Sequence, residues 1–134
     1  MQERLQDIVN FEDYLQRNGT QVVKFYLHIS KEEQRERLLA RIDEPAKNWK
    51  MNPGDVRERQ KWDRYREAYQ DTLDKTSTPE APWYVIPGND KKNARLLISQ
   101  IVLRHMRKLK MSFPKADGEI LDQLKECREI LEND

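Results

Sequence analysis

The sequence predicts an α/β fold with parallel strands, and three observations carry that prediction. The run Gln21 to Ile29 (QVVKFYLHI) is rich in β-branched and aromatic residues with little strict alternation, as in a strand buried on both faces. A second short apolar run, Trp83 to Ile86, follows the proline-bearing segment TSTPEAP. Between the two runs lie helical signals, and a crossover that contains helices pairs its strands in parallel.

Each element has a local cause. Residues 2–18 place Leu5, Ile8, Val9, Phe11 and Leu15 on an approximate helical face, and Asn18-Gly19 supplies a left-handed stop. After the first strand, Ser30-Lys31-Glu32-Glu33 has the form of a capping box, so a helix leaves directly from the strand. That helix carries Leu38, Leu39 and Ile42 and ends before Pro45. Residues 43–52 (DEPAKNWKMN) read as an exposed connection. Asn52-Pro53 then places an N-cap before a proline at the first helical position, opening one long helix to about Lys75. Beyond Trp83 to Ile86, the turn Pro87-Gly88-Asn89-Asp90 leads into a helix reaching about Lys110, with Leu96, Leu97, Ile101, Val102 and Leu103 apolar. Phe113-Pro114 interrupts it, and residues 117–132 form a last amphipathic helix. Two strands make too small a sheet for so apolar a first strand, so further strands are expected from elsewhere.

Composition narrows the function. The 134 residues hold 25 Lys and Arg against 24 Asp and Glu, a formal net charge of +1, which argues against a nucleic-acid-coating protein. Hydrophobic and charged residues each make up 37%, so the core is modest. Cys127 is the only cysteine, which excludes an intramolecular disulfide and a zinc site of paired cysteines. No apolar run approaches the roughly 20 residues that span a bilayer, and the first ten residues are too charged for a signal peptide. The expectation is a soluble cytoplasmic protein without membrane or nucleic-acid partners.

Residues 41–66 hold eight basic side chains (Arg41, Lys47, Lys50, Arg57, Arg59, Lys61, Arg64 and Arg66) against five acidic ones. Mobile Arg and Lys suit phosphoryl transfer, in which the protein positions groups and neutralises charge. The same spacing also suits a solvated, salt-bridged helix face. Trp49 can anchor this segment or stack on a base. Trp62, Tyr65 and Tyr69 recur at helical spacing and read as core or lid packing. Asn89-Asp90-Lys91 follows the second strand at its carboxyl end, where open α/β sheets bind ligands; Asp90 either caps the next helix or meets a nucleotide. His28, His105 and Cys127 form no nucleophile–base pair. No metal-ligand pattern and no GxxxxGK[ST] phosphate loop occur.

Two long segments, NFEDYLQRNGTQVVKFYLHISKEEQRERLLARIDEPAKNWKMNPGD and KWDRYREAYQDTLDKTSTPEAPWYVIPGNDKKNAR, resemble the carboxyl-terminal half of the polyphosphate kinase 2 family. The resemblance covers about residues 8–110, and FPKADGEILDQL is similar to the end of the subgroup acting on nucleoside mono- and diphosphates. It implies the second half of a P-loop kinase-like fold, similar to thymidylate kinases, with three α/β/α layers and a helical lid. Residues 1–112 would be a partial family domain with its lid at about 41–66, and residues 113–134 a C-terminal helix. The implied activity is transfer of phosphate between inorganic polyphosphate and adenine nucleotides. Arg41, Lys47 and Lys50 would act on the transferring phosphates; Arg57, Trp49, Asn89, Asp90 and Lys91 would bind polyphosphate or nucleotide. Mg2+ is implied as cofactor, its ligands expected in the amino-terminal half, together with the Walker A and Walker B segments absent here. A separate amino-terminal half or a homo-oligomer would complete the sheet. The alternatives are a noncatalytic phosphate-binding module and an inactive truncated remnant.

Overall fold

A computed structural model describes residues 2–134. Helix α1 (Gln2–Arg17) ends where expected: Gly19 takes φ +82°, and the Thr20 amide donates to the Leu15 carbonyl at 2.9 Å. Strand β1 (Lys24–His28) pairs in parallel with β2 (Trp83–Pro87), in register from Lys24 opposite Trp83 to His28 opposite Pro87. Between them run α2 (Lys31–Asp43), a 3-10 helix (Pro45–Lys50), α3 (Pro53–Arg59) and α4 (Trp62–Thr76). Helices α5 (Lys91–Lys108) and α6 (Gly118–Glu132) complete the order. The result is an α/β arrangement with a small parallel sheet. The chain divides into two compact units, the first through Val102 and the second Leu103–Asp134. No helix among the described residues is long and apolar enough to cross a membrane.

Several expectations are corrected. The first strand is five residues rather than nine, and it is not buried on both faces: Leu27 is 53% exposed, and Val85 of β2, opposite Tyr26 in the register, is 54% exposed. Only two strands form the sheet among the described residues, so its apolar side chains have too few layers to cover them. The connection at 43–52 is exposed, as expected, but folds into the 3-10 helix, because the Asn48 amide reaches back to the carbonyls of Arg41 and Ile42 at 2.8 Å each. The single long helix expected after Pro53 is two helices. At the corner, the Glu58 carboxylate accepts from Lys61 Nζ at 2.9 Å and from the Tyr65 hydroxyl at 2.6 Å, pinning a bend at Gln60-Lys61 that no glycine or proline announces.

The interior is small and centres on β1, β2 and the ends of α1 and α4, with Leu5, Leu38, Ala81, Ile86 and Ala94 buried. Its polar heart is Lys24. The ammonium donates to Glu12 Oε2 of α1 and to the Thr76 carbonyl of α4, each at 2.6 Å, and lies 5.3 Å from the Trp83 ring. Thr76 is fully buried, and its hydroxyl accepts from the Trp83 indole N–H at 2.8 Å. A lysine inside an apolar run thus ties three elements together.

The carboxyl ends of the two strands are clasped at Gly88, whose amide donates to the His28 carbonyl at 2.7 Å. A Cβ there would lie 2.8 Å from Ile29 Cγ2 and 3.3 Å from the His28 oxygen. The isoleucine is β-branched and the carbonyl is held by its hydrogen bond, so neither yields easily. Gly88→Ala is therefore expected to destabilise the first unit by about 1–3 kcal/mol, read as a lower midpoint in urea unfolding; an unchanged midpoint would show that the clasp relaxes freely.

In the second unit every residue of α6 is exposed, including its apolar side chains Ile120, Leu121, Leu124, Ile130 and Leu131. Cys127 is exposed on the same helix, not packed in a core as a structural cysteine would be. Asp117 caps α6, its carboxylate accepting from the Ile120 amide at 3.1 Å.

Candidate functional site

The first unit opens into a cleft of about 380 Å³ between α2, α3 and α4. Its walls carry the guanidiniums of Arg37, Arg41 and Arg59, the carboxylates of Asp55 and Glu58, and the rings of Trp62, Tyr65 and Tyr69. Three guanidiniums and two carboxylates line the cleft, and one of the guanidiniums, Arg37, is paired with the further carboxylate of Glu33. The three aromatic residues read from their spacing as core or lid packing line this opening. Tyr69 also stacks on Tyr26 of β1, with ring centroids 4.9 Å apart.

Each guanidinium is placed by a different device. Arg41, in the last turn of α2, bonds through Nη1 to Asp55 Oδ2 at 3.1 Å and to the Lys50 carbonyl at 3.5 Å. Arg37, one turn earlier on the same face, pairs with Glu33 at 2.7 Å and donates to the Gly88 carbonyl at 2.7 Å, docking α2 on the turn after β2. Arg59, at the end of α3, donates to the Lys31 carbonyl at 2.7 Å and to Gln34 Oε1 at 2.9 Å, with Trp62 beneath it at 5.8 Å. The sequence reading named Arg41 as a site residue but not Arg37 or Arg59. The i, i+4 spacing of Arg37 and Arg41 was the available signal for the first; for Arg59 the signal was its place in the basic cluster, but its bonds to Lys31 and Gln34 of α2 are long-range and not written in its neighbours.

At the corner, hydrogen bonds from Tyr65 and then Lys61 hold the Glu58 carboxyl below its usual range. The same bonds to Glu58 push the Tyr65 phenol and the Lys61 ammonium up. All three groups therefore keep their ordinary neutral-pH charge, and Glu58 stays an acceptor committed to the corner. Burial, with a smaller contribution from Tyr69, raises the Tyr26 phenol.

The remaining candidates lie outside the cleft walls. Lys47 pairs with Glu44 at 2.6 Å, and Lys50 sits over the exposed Trp49 ring at 4.9 Å. Trp49 is 79% exposed, its indole N–H bonded to the Ala46 carbonyl at 3.1 Å, so within this chain it is not anchored in a core. Arg57 is exposed on α3. Asp90 caps α5: Oδ1 accepts from the amides of Lys92 and Asn93, and Oδ2 from the Asn93 side chain. Lys91 is the exposed first residue of that helix.

Asn89 has a role that local sequence did not announce. The expected capping box at Ser30 is half made, since Ser30 Oγ accepts from the Glu33 amide at 3.1 Å while the Glu33 carboxylate goes to Arg37. The Ser30 amide that Glu33 would have satisfied donates instead to Asn89 Oδ1 at 3.0 Å. Asn89 thus completes the cap of α2 from the other strand end. Among the described residues no group of three or more His, Cys, Asp or Glu side chains is placed to hold a metal ion.

The family model described as polyphosphate kinase 2 (PPK2) matches residues 1–114. An ADP-polyphosphate phosphotransferase of Rhodopseudomonas palustris is 49% identical over 129 residues, 96% of this chain and 45% of that protein. An uncharacterised protein in the chlN 3' region of Leptolyngbya boryana is 44% identical over 98% of this chain and 97% of its own length. The crystal structure of polyphosphate kinase 2 from Arthrobacter aurescens superposes with a TM-score of 0.86 at 42% identity, covering 95% of this chain and 46% of that one. The chain therefore spans about half the length of the phosphotransferase relative and of the solved enzyme.

Proposed function

The chain belongs to the polyphosphate kinase 2 family, and from that membership we propose that it is the lid-bearing carboxyl-terminal half of a polyphosphate:nucleotide phosphotransferase. One observation carries the reading: superposition on a polyphosphate kinase 2 over 95% of the chain, with three guanidiniums converging on one cleft. Residues 41–66 form the lid in this proposal. Arg41, Lys47 and Lys50 face the transferring phosphates, and Arg57 and Trp49 line their path. Asn89, Asp90 and Lys91 stand at the carboxyl ends of the strands, on the nucleotide side.

The substrates are inorganic polyphosphate and an adenine nucleotide, as the relatives' names state for those proteins. A nucleotide phosphate oxygen attacks a terminal phosphoryl group, and no covalent enzyme intermediate forms. Arg41 stabilises the negative charge on the phosphoryl oxygens as the bond changes partners. Mg2+ would neutralise further phosphate charge when bound; among the described residues no group of three or more His, Cys, Asp or Glu is placed to hold it, so it is assigned to the phosphate-loop portion of the fold. That portion, preceding this chain or supplied separately, also covers the exposed sheet. A cytoplasmic location completes the proposal.

The test is incubation with polyphosphate, Mg2+ and AMP or ADP, alone and after co-folding with the amino-terminal portion of a family member, nucleotide products being resolved by chromatography. Transfer is expected only from the co-folded assembly. Salt-sensitive polyphosphate retention without transfer in either case would replace the reading by a noncatalytic phosphate-binding module.

A further inference from the structure

Arg41 is held by one edge only. Its Nη1 meets Asp55 Oδ2 at 3.1 Å and, at longer range, the Lys50 carbonyl at 3.5 Å, while Nε and Nη2 have no hydrogen-bond partner among the described residues. A guanidinium offers five N–H donors in a planar fork, and a carboxylate free to choose often engages it bidentately. Here the contact is monodentate.

The backbone explains why. Asn52 caps α3 by accepting from the Gly54 amide at 2.8 Å, Pro53 opens the helix, and Asp55 falls in its first turn, where the helix dipole favours a carboxylate. Asn48 fixes the other side by bonding the Arg41 and Ile42 carbonyls. The segment between Arg41 and Asp55 is thus closed by its own caps, and the carboxylate is presented to a single nitrogen. The side chains are 35% and 44% exposed, so the free donor edge remains within reach of a ligand in the cleft.

Resting on the proposal that the cleft receives polyphosphate, we infer that Asp55 is a positioning residue. It holds Arg41 by Nη1 so that the Nε–Nη2 edge is left to take two oxygens of one phosphate. This reading and simple electrostatics predict opposite signs. A carboxylate beside a guanidinium lowers the local positive potential, so its removal alone should strengthen the binding of a polyanion. If Asp55 acts by positioning, removal weakens it.

The experiment is a double-mutant cycle on the full chain. Binding of inorganic polyphosphate of defined length is measured by titration calorimetry at constant ionic strength for wild type, D55A, D55N, R41A and R41A/D55A. D55A is expected to bind at least about tenfold more weakly, the loss of one well-oriented charge-assisted contact. D55N keeps an acceptor oxygen while removing the charge, and is expected to stay within about threefold of wild type. In the R41A background the D55A change should have no further effect. Thermal melts check that the variants fold. Should D55A not melt cooperatively, Asp55→Thr takes its place, keeping a first-turn hydroxyl for α3 that is too short to hold Arg41.

Equal or tighter binding by D55A overturns the inference, as does D55N no better than D55A, or a D55A effect that persists without Arg41. Those outcomes leave the functional reading intact, because wild type still binds. If wild type and every variant alike retain no polyphosphate, the inference fails, while transfer by the co-folded assembly decides the functional reading separately.

Discussion

Arg41→Ala, introduced into the enzyme assembled from this chain and a family amino-terminal portion, is expected to lower turnover about 100- to 1,000-fold. In phosphoryl transfer the protein does little covalent chemistry, so the rate depends on groups aimed at charge that develops in the transition state. Arg41 has the placement for this: it lines the cleft, it is anchored at one nitrogen, and its remaining donors are uncommitted among the described residues. Because Arg41 also grips the bound polyphosphate, KM should rise as kcat falls, and kcat/KM should fall further than kcat. Stability should hardly change, since the partner left behind, Asp55, is exposed to water and surface pairs of this kind contribute about 0–1 kcal/mol. Steady-state kinetics beside a urea melt checks both halves of the expectation, and unchanged turnover would reject the assignment of Arg41.

Glu12→Ala should have the opposite profile, a large loss of stability unconnected with phosphate. The Glu12–Lys24 pair is closed at 2.6 Å with both side chains about nine-tenths buried. Removing the carboxylate leaves an ammonium inside the protein with the Thr76 carbonyl as its remaining hydrogen-bond partner. Breaking one side of a buried pair typically costs about 3–5 kcal/mol, a large share of the roughly 5–15 kcal/mol that holds a domain together. α1, β1 and α4 meet at this point, so the loss should appear as a lower midpoint for the whole first unit. Replacing both partners, Glu12→Leu with Lys24→Met, should recover most of it, because no charge is then left buried. A Glu12→Ala midpoint equal to wild type would show that water reaches the ammonium. Failure of the double replacement to improve on Glu12→Ala would show that the pair contributes more than charge compensation.

Much of the first unit was legible from sequence because its causes are local. Asn18-Gly19 stops α1, Ser30 starts α2, and Asn52-Pro53 starts α3, each through a backbone group within a few residues of the side chain concerned. The parallel pairing followed from the length and helical character of the crossover. Family membership was legible for a different reason: long motifs in a fixed order carry more information than any single periodicity. The candidate site was legible only in part. Arg41 was singled out of the basic cluster, whereas Arg59, in the same cluster, and Arg37, outside it, were not, since what makes them cleft residues is the carbonyls they meet on other elements.

The sequence by itself determined the element types, most of their ends, the parallel sheet and the basic character of residues 41–66. Tertiary structure alone decided which hydrogen bonds the polar side chains made. Glu33 turned from the Ser30 amide to Arg37, and Asn89 supplied the missing acceptor from 59 residues away. Glu58 chose Tyr65 and bent what would have been one helix. Lys24, placed by its neighbours in an apolar strand, became the buried tie between Glu12 and Thr76. A helix cap or a hydrophobic period is satisfied within a turn or two, so it is written in adjacent residues. A buried polar atom must bond whatever the fold brings beside it, and that neighbour is known only once the chain has closed.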